Sequence, residues 1–269
     1  MKDMLFDIVA EAQNPWLARH RIREFLQVRL LHLLQRQGAM SALAFHGGTA
    51  LRILFHIPRF SEDLDFTLEG DPYRPERYAE FLASALRKEG YAVRCRLKTE
   101  RPVHALWVRF VGLLHELGLS PHHDEVLAIK IEVDTRPPRG VQLQISTRRR
   151  FAWLLRLQHH NLASILAGKI HALLQRPYLK GRDVYDLIWL RSRASPPEPN
   201  LDLLRHALQQ TGWPGPEITQ ENWRLLVWQR LAQASWEHIR KDVEPFLEHP
   251  DDRELLTPEI LREVLLLPE

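Results

Sequence analysis

The sequence predicts an α+β protein in which a mixed sheet comes first and a helical half follows. Between residues 60 and 146, apolar and polar residues repeatedly alternate with a period of two, which is typical of half-buried strands. From residue 161 onward, apolar residues recur instead at the spacing of a helix. Strands grouped before helices are typical of the α+β class. We predict one domain over residues 1–150 and a second over residues 151–269.

The first half is predicted to open with a long helix. Asn14 is a favourable N-cap, Pro15 suits the first helical position, and Gly38 ends the apolar periodicity. A short apolar stretch follows over residues 42–45. Further helices are predicted over residues 50–55 and 75–90, and strands over residues 60–68, 91–98, 103–111, 126–134 and 141–146, with the second and third of these strands forming a hairpin.

The second half is predicted to be helical throughout. Helices are expected over residues 162–176, 182–193, 201–211, 219–234, 236–247 and 258–266. The three prolines between residues 195 and 200 block a helix there, so that this segment is a linker or an ordered turn.

Composition excludes several classes of protein. The chain has 269 residues, of which 45% are hydrophobic and 26% charged, as in ordinary globular proteins. A single cysteine, Cys95, excludes an intrachain disulfide and a cysteine-based zinc cluster. No apolar run approaches the ~18 residues that span a bilayer, and the acidic residues Asp3, Asp7 and Glu11 do not fit a signal peptide. We expect a cytoplasmic protein without a membrane partner.

Charge is distributed unevenly along the chain. Residues 135–182 contain ten Lys or Arg and no Asp or Glu, whereas residues 242–269 contain nine acids and two bases. A polyanion would be attracted to the middle of the chain and repelled by its end. A solvated basic face is an equally good explanation of the first stretch.

Asp63 and Asp65 are the most informative pair. Residues two apart on a strand project from the same face, so the two carboxylates are expected side by side. They repel each other unless a cation lies between them or one is protonated, and hard oxygen ligands suit Mg²⁺. The alternative is an exposed strand face whose charges lie in water.

A glycine turn lies shortly before this pair. Gly47, Gly48 and Thr49 fall between a predicted strand and a predicted helix. Glycines let a phosphate approach the backbone, and the first turn of a helix offers it N–H groups. Taken alone, two glycines indicate only a tight turn. Upstream of an Asp-x-Asp strand, they predict a phosphate cradle next to a metal site.

A third carboxylate is available on another strand. Asp134 ends the strand over residues 126–134, and Lys130 and Glu132 share its polar face. If that strand neighbours the strand of Asp63, Asp134 or Glu132 could complete the metal ligands. An ordinary surface strand face explains the same residues.

Two charged groups stand out in the helical half. Lys169 interrupts an apolar helix, so it extends either to water or into a cleft. Asp183 opens the next helix and shares a face with Asp186 one turn later. Capping of the helix, or an ion pair with Arg182, accounts for Asp183 without any catalytic role.

Four segments together resemble the AbiEii/AbiGii toxin family of bacterial nucleotidyltransferase-like proteins. They are residues 46–52 (HGGTALR), residues 59–66 (RFSEDLDF), Lys169 and residues 182–187 (RDVYDL). The resemblance covers residues 42–191. It implies a polymerase-beta-like nucleotidyltransferase core with a mixed sheet, followed by a helical C-terminal half that completes the active-site cleft.

The resemblance also implies roles for individual residues. The catalytic residues would be Ser61, Asp63, Lys169 and Asp183; the nucleotide would be bound by Gly47, Gly48, Thr49, Ser61 and Lys169; and the metal would be held by Asp63 and Asp65. We assign Asp134 as the third metal ligand from its own place on a strand, where Glu132 stands beside it. The cofactor would be Mg²⁺ or Mn²⁺, with an NTP as substrate. Members of the family that act as toxins transfer nucleotides to tRNA and are encoded beside a separate antitoxin, so tRNA or another RNA and an antitoxin are the expected partners.

Two other functions remain open from the sequence. A metal-dependent nuclease could use the same aspartate pair, although it would not need the glycine turn. A non-catalytic module that binds a nucleotide or an antitoxin could keep the fold without the chemistry.

Overall fold

The computed structural model describes residues 2–266. The helices are α1 (Lys2–Glu11), α2 (Pro15–Arg36), α3 (Gly47–Phe55), α4 (Pro75–Lys88), α5 (Leu113–Glu116), α6 (Leu162–Gln175), α7 (Gly181–Arg191), α8 (Leu201–Gln210), α9 (Trp223–Ala232), α10 (Trp236–Val243) and α11 (Pro258–Leu266). The strands are β1 (Leu43–His46), β2 (Leu64–Leu68), β3 (Val93–Lys98), β4 (Val103–Val111), β5 (Val126–Asp134), β6 (Leu143–Arg150) and β7 (Trp153–His160). In this part of the chain, no helix is both long enough and apolar enough to cross a membrane.

The strands form one mixed sheet in the order β3-β4-β5-β2-β1-β7-β6. β3, β4 and β5 are joined antiparallel, β2 pairs parallel with β5, and β1 pairs antiparallel with β2 and parallel with β7. Helices dominate the chain after residue 160. The prediction of an α+β fold with a mixed sheet followed by a helical half is therefore confirmed.

The alternating pattern of β5 correctly predicts its buried side. Ile129, Ile131 and Val133 are at most 4% exposed, while the residues between them are partly exposed. The other predicted core residues, Phe45, Leu64 and Phe66, are at most 1% exposed. Burial of such side chains stabilises the fold by about 1.5–3 kcal/mol each relative to an exposed position.

Several elements differ from the prediction, among them β2, β7 and α1. β2 begins at Leu64 rather than at residue 60, because neither neighbouring strand pairs with a residue before Leu64. β1 pairs with β2 from Asp65 onward, and β5 pairs with it from Leu64 onward. β7 is not predicted from the sequence, since exposed Leu154 obscures the alternation of its buried residues Trp153 and Leu155. α1 is also unpredicted, and it buries only Leu5 completely.

The described residues fall into two compact units that interleave along the chain. The first comprises the chain up to Phe55 together with Phe60–Arg136 and Ile145–His159. The second comprises His56–Arg59, Pro137–Gln144 and the chain from His160 onward. Two short pieces of the first half thus belong to the unit that contains α6–α11.

Candidate functional site

Strand register brings the glycine turn next to the aspartate strand. β1 and β2 pair antiparallel, and His46 at the end of β1 lies opposite Asp65. The chain turns into α3 immediately afterwards, at Gly47. The predicted phosphate cradle and one of the predicted metal carboxylates therefore lie side by side in the first unit.

Gly47 lets the turn approach Asp65 more closely than a residue with a side chain would. Its φ of +76° lies in the left-handed region that favours glycine. A Cβ atom at this position would lie 2.6 Å from Oδ2 of Asp65. The backbone of the turn and the carboxylate are thus packed directly against each other, as a site for a phosphate and a cation requires.

Thr49 and Gly48 are buried in the first turn of α3. The Thr49 side chain is fully buried, and its hydroxyl donates a hydrogen bond to the carbonyl oxygen of Asp63. The Thr49 hydroxyl therefore fixes the backbone of Asp63 to α3, whereas the sequence predicted that it would hold a phosphate. The groups available to a phosphate at this turn are the backbone N–H groups that the start of any helix leaves without an intrahelical partner.

Asp63 directly precedes β2 and is only partly exposed. Burial, together with the nearby carboxylates of Asp65 and Glu132, raises the pKa of Asp63 from its ordinary value of 3.8 to about 6. Concentrated negative charge of this kind is stabilised by a cation. We call Asp63, Asp65 and Glu132 the carboxylate cluster.

Register distinguishes Glu132 from Asp134 as candidates for the third carboxylate. Asp65 of β2 is paired with Glu132 of β5, while Asp134 is paired with Thr67 one step further along. The Asp134 side chain accepts a hydrogen bond of 2.9 Å from the backbone N–H of Arg136. Asp134 lies on the same sheet face as the cluster, but the structure places Glu132 nearer the aspartate pair. Asp134 and Glu132 are therefore both candidates for the third ligand, and Glu132 lies directly opposite Asp65.

Lys130 already binds one member of the cluster. Its ammonium lies 2.6 Å from a carboxylate oxygen of Glu132. Among residues 2–266, no group of three or more His, Cys, Asp or Glu side chains is arranged as a metal site. Carboxylate oxygens are ligands that suit a hard cation. For Glu132 to become the third ligand, its carboxylate would have to leave Lys130 and bind the ion instead.

The backbone before Asp63 is fixed from α2. The carbonyl oxygen of Ser61 accepts a 3.1 Å hydrogen bond from Nε2 of Gln27, whose side chain is buried. Ser61 itself is partly buried. Two bonds, one from Gln27 and one from Thr49, thus hold the backbone of the loop that carries Ser61 and Asp63.

Lys169 lies in a separate group of charges within the second unit. Its ammonium is 2.8 Å from Oδ1 of Asp183 and 2.6 Å from Oδ2 of Asp186. The lysine side chain is 13% exposed, so it does not extend into bulk water. Of the two placements that the sequence allowed for Lys169, the structure supports the enclosed one.

Both carboxylates bind a second cation. Asp183 pairs with Arg176, and Asp186 accepts two hydrogen bonds from Arg59, 2.5 Å from Nε and 2.6 Å from Nη2. We call Arg59, Lys169, Arg176, Asp183 and Asp186 the lysine network. Its charges alternate in sign from Arg59 to Arg176, so each neighbouring pair attracts.

The network keeps Lys169 and Asp183 charged despite their burial. Burial opposes the ionised form of Asp183, but Lys169 and Arg176 outweigh it and lower the pKa of Asp183. Burial likewise opposes the ammonium of Lys169, and Asp183 and Asp186 outweigh it and raise the pKa of Lys169. The lysine is therefore a fixed positive charge at physiological pH.

Sequence reasoning did not assign a role to Arg59 or Asp186. Both belong to the motifs quoted above, and the shared helix face of Asp183 and Asp186 was the available signal. Their pairing spans 127 residues of sequence, and no local pattern reveals a contact of that range.

Comparison with known proteins identifies a matching family and similar folds. A family described as nucleotidyl transferase AbiEii toxin, type IV TA system, matches residues 29–258. No curated protein sequence matches the chain. A crystal structure of a candidate nucleotidyltransferase from H. pylori is similar over 91% of this chain and 94% of that chain, with 17% identity and a TM-score of 0.53. This likeness supports a common fold.

Two other solved structures show weaker likeness. JHP933 from Helicobacter pylori has 19% identity over 84% of this chain and 93% of that chain, with a TM-score of 0.46. An antigenic nucleotidyltransferase-like protein from Paracoccidioides brasiliensis has 20% identity over 69% of this chain and 86% of that chain, with a TM-score of 0.41.

The family match spans both the glycine turn with its aspartate strand and the helices that carry Lys169 and Asp183. It therefore includes every segment on which the resemblance was based. The chain belongs to the AbiEii nucleotidyl transferase toxin family of type IV toxin–antitoxin systems.

Proposed function

We propose that this chain transfers a nucleotide from an NTP to an RNA acceptor such as tRNA, with Mg²⁺ or Mn²⁺ as cofactor. The observation that carries the proposal is the contact between Gly47 and Asp65, where a Cβ would lie 2.6 Å from the carboxylate. A phosphate-binding turn has no structural need to adjoin a carboxylate pair. It does have such a need when both bind one metal–triphosphate complex.

The turn would bind the triphosphate through its backbone. Gly47 and Gly48 open α3, whose first N–H groups favour an anion. Glycine at position 47 also lets the start of α3 pack against Asp65, where a Cβ would lie 2.6 Å from Oδ2. Thr49 contributes by fixing the carbonyl of Asp63, and the Ser61 hydroxyl is a further candidate donor to a phosphate oxygen.

The oxygen donors of the carboxylate cluster are of the type that a divalent cation prefers. Asp63 and Asp65 supply oxygen ligands, and Glu132 supplies a third once it leaves Lys130. When bound, the metal would neutralise charge on the phosphates. The raised pKa of Asp63 reflects the burial and repulsion that a cation would relieve.

Lys169 and Asp183 are proposed to serve the same reaction, as the sequence predicted. A lysine held charged by two carboxylates suits neutralisation of the leaving pyrophosphate. Asp183 binds Lys169 directly, which favours an orienting role over activation of the attacking hydroxyl.

An RNA acceptor is supported by exposed arginines. Arg149 of β6 and Arg156 of β7 are both exposed, in the stretch that lacks acidic residues. Phosphate contacts by such side chains supply most of the sequence-independent affinity for nucleic acid. The separately encoded antitoxin expected for the family would complete the system.

The test is incubation of the protein with each α-labelled NTP and total tRNA, with Mg²⁺ or with a chelator. We expect label in the RNA only when the metal is present, and none with Asp63→Asn. A nuclease would shorten the RNA without labelling it. A binding module would show NTP binding by calorimetry and no turnover, and either outcome would refute the proposal.

A matched pair of variants tests the third carboxylate. Glu132→Gln should reduce labelling by on the order of 100-fold, the scale expected when a catalytic group is misplaced. Asp134→Asn removes one charge from the same face of the same strand and should retain most activity. The reverse ranking would restore Asp134 as the ligand.

A further inference from the structure

Asp186 and Arg59 form a fully enclosed ion pair that the proposed chemistry does not use directly. Their side chains are 0% and 2% exposed. The guanidinium donates to both oxygens of the carboxylate, from Nε at 2.5 Å and Nη2 at 2.6 Å. Two charges are rarely enclosed to this degree without a purpose, because desolvation can cost more than their attraction returns.

The Asp186 carboxylate also holds Lys169. Its Oδ2 lies 2.6 Å from Nη2 of Arg59 and 2.6 Å from Nζ of Lys169. A two-bond fork from a planar guanidinium fixes both the position and the plane of a carboxylate. The lysine ammonium, a point charge on a flexible stem, then receives a fixed anchor. We propose that Asp186 and Arg59 are a positioning pair that fixes the place and the charge of Lys169, a role that rests on the proposed transferase function.

Arg59 is itself held by the C-terminal part of the chain. It forms an isolated antiparallel bridge with Leu247, and the carbonyl of Pro58 accepts a 3.1 Å hydrogen bond from the N–H of Glu248. Both contacts lie within the second unit. The guanidinium is thus anchored from its backbone as well as from Asp186.

Residues 242–252, which we call the acidic segment, also hold the start of α7. Asp242 accepts a 2.6 Å hydrogen bond from the N–H of Gly181, and Asp252 accepts a 2.7 Å bond from the hydroxyl of Tyr185. Arg182 lies over the ring of Phe246 at 4.1 Å. Part of the acidic C-terminal region therefore supports the helix that carries Asp183 and Asp186.

The charges around Lys169 explain why two carboxylates are needed. Burial and the nearby cation Arg59 both oppose a charged ammonium. Asp183 is shared with Arg176, so its charge is partly compensated. Removing Asp186 would leave Lys169 facing Arg59 with a single shared carboxylate, and the lysine would then lose its proton more readily.

The first experiment follows the titration of Lys169 by NMR in the full chain, with lysine labelled with ¹³C at Cε. The sequence has seven lysines, and Lys169→Arg assigns the signal. We expect Lys169 to titrate above lysine in an unfolded peptide. Asp186→Asn should lower the pH at which Lys169 titrates by about one unit or more, which is the scale expected for the loss of one adjacent opposite charge.

Glu198→Gln is the matched control. Glu198 lies in the same unit and also joins two cations, Arg191 and Arg224, outside the lysine network. Its loss should leave the Lys169 titration unchanged. An unmoved titration in folded Asp186→Asn, or an equal movement in Glu198→Gln, would overturn the proposal.

Kinetics separate positioning from folding. Asp186→Asn should lower kcat by on the order of 100-fold with little change in KM for the NTP, and the alkaline limb of its kcat profile should move to lower pH. Where Asp186→Asn does not fold, Arg59→Lys carries the test, since it keeps the charge and loses the fork. We expect at least a tenfold lower kcat at unchanged KM, and wild-type kcat in this variant would overturn the role. If the wild type transfers no nucleotide, the proposed function fails, whereas the titration still decides on Asp186.

Discussion

The close approach of Gly47 to Asp65 brings together two sequence motifs, the glycine turn and the Asp-x-Asp strand. The sequence indicated each motif separately, because a period of two placed Asp63 with Asp65 and a glycine pair marked a turn. Their contact depends on the register of β1 against β2. Likewise, Glu132 and Asp134 could not be separated until β5 was paired with β2.

Replacing Asp63 with Asn should stabilise the metal-free protein at neutral pH. The folded state raises the pKa of Asp63 from 3.8 to about 6 through burial and neighbouring carboxylates. Between these values the folded state binds more protons than the unfolded state, so stability falls as pH rises from about 4 to 6. After discounting for the solvent-accessible part of the side chain, we expect a gain of about 1 kcal/mol for Asp63→Asn above pH 6 and none near pH 4.

Thermal melting in chelator from pH 4 to pH 8 measures this difference. Asp124→Asn removes an exposed carboxylate and should change stability by less than about 0.5 kcal/mol throughout. A pH-independent difference between the wild type and Asp63→Asn would mean that Asp63 is not electrostatically strained.

Buried charge was the hardest feature to predict at this scale. Lys169 stood out because it breaks an apolar helix, and Asp183 because it opens the next one. Arg59 gave no comparable signal, since arginine is almost never fully buried unless it is paired. Its partner, Asp186, is 127 residues away.

At the scale of elements, α7 depends on how closely its first turn approaches α10. A Cβ on Gly181 would collide with the backbone carbonyl of Ile239. This glycine is required by the close approach of two backbones, and its own φ does not demand it. The packing brings the start of α7 within reach of Asp242.

Two glycine-to-alanine changes should therefore have opposite effects. Gly181→Ala forces backbone movement and should destabilise the protein by about 1–3 kcal/mol. Gly168 lies in α6, and no atom lies near a Cβ added there. Because alanine has the better helix propensity, Gly168→Ala should stabilise the protein by about 0.5–1 kcal/mol. Chemical denaturation of both variants measures this difference, and a stabilising Gly181→Ala would contradict the proposed packing.

Elements with a regular pattern were predicted well. β5 alternates over nine residues, and the hairpin of β3 and β4 was correctly identified. β7 was missed because exposed Leu154 lies between buried Trp153 and Leu155. Periodicity reveals an element only when both of its faces have the expected polarity.

At the scale of the whole molecule, charge separates along the chain. From the sequence alone, residues 135–182 could bind a polyanion or form a solvated basic face, and the arginines that are used internally could not be identified. Arg176 is paired with Asp183, and Arg150 with Glu24. Arg149 and Arg156 are instead exposed on β6 and β7.

Replacing Arg149 and Arg156 together with Ala should weaken binding to total tRNA and flatten its salt dependence. Each lost phosphate contact should lower the slope of log affinity against log salt by about 0.7–0.9. Filter binding at salt concentrations from about 50 to about 200 mM measures the slope. The control, Lys241→Ala with Arg262→Ala, lies in the helices around the acidic segment and should leave the slope unchanged. An unchanged slope in the arginine variant would exclude these residues from RNA contact.

The bridge between Arg59 and Leu247 has a consequence for the order of synthesis. On the ribosome, Arg59 emerges long before Asp186, and longer still before the segment that fixes its backbone. Domains generally fold as units while the chain is made, but the second unit cannot close around Arg59 until residues 242–252 have been translated. A chain that stops before these residues lacks the backbone contacts of Pro58 and Arg59 with Glu248 and Leu247, so the lysine network is complete only after this segment has been translated.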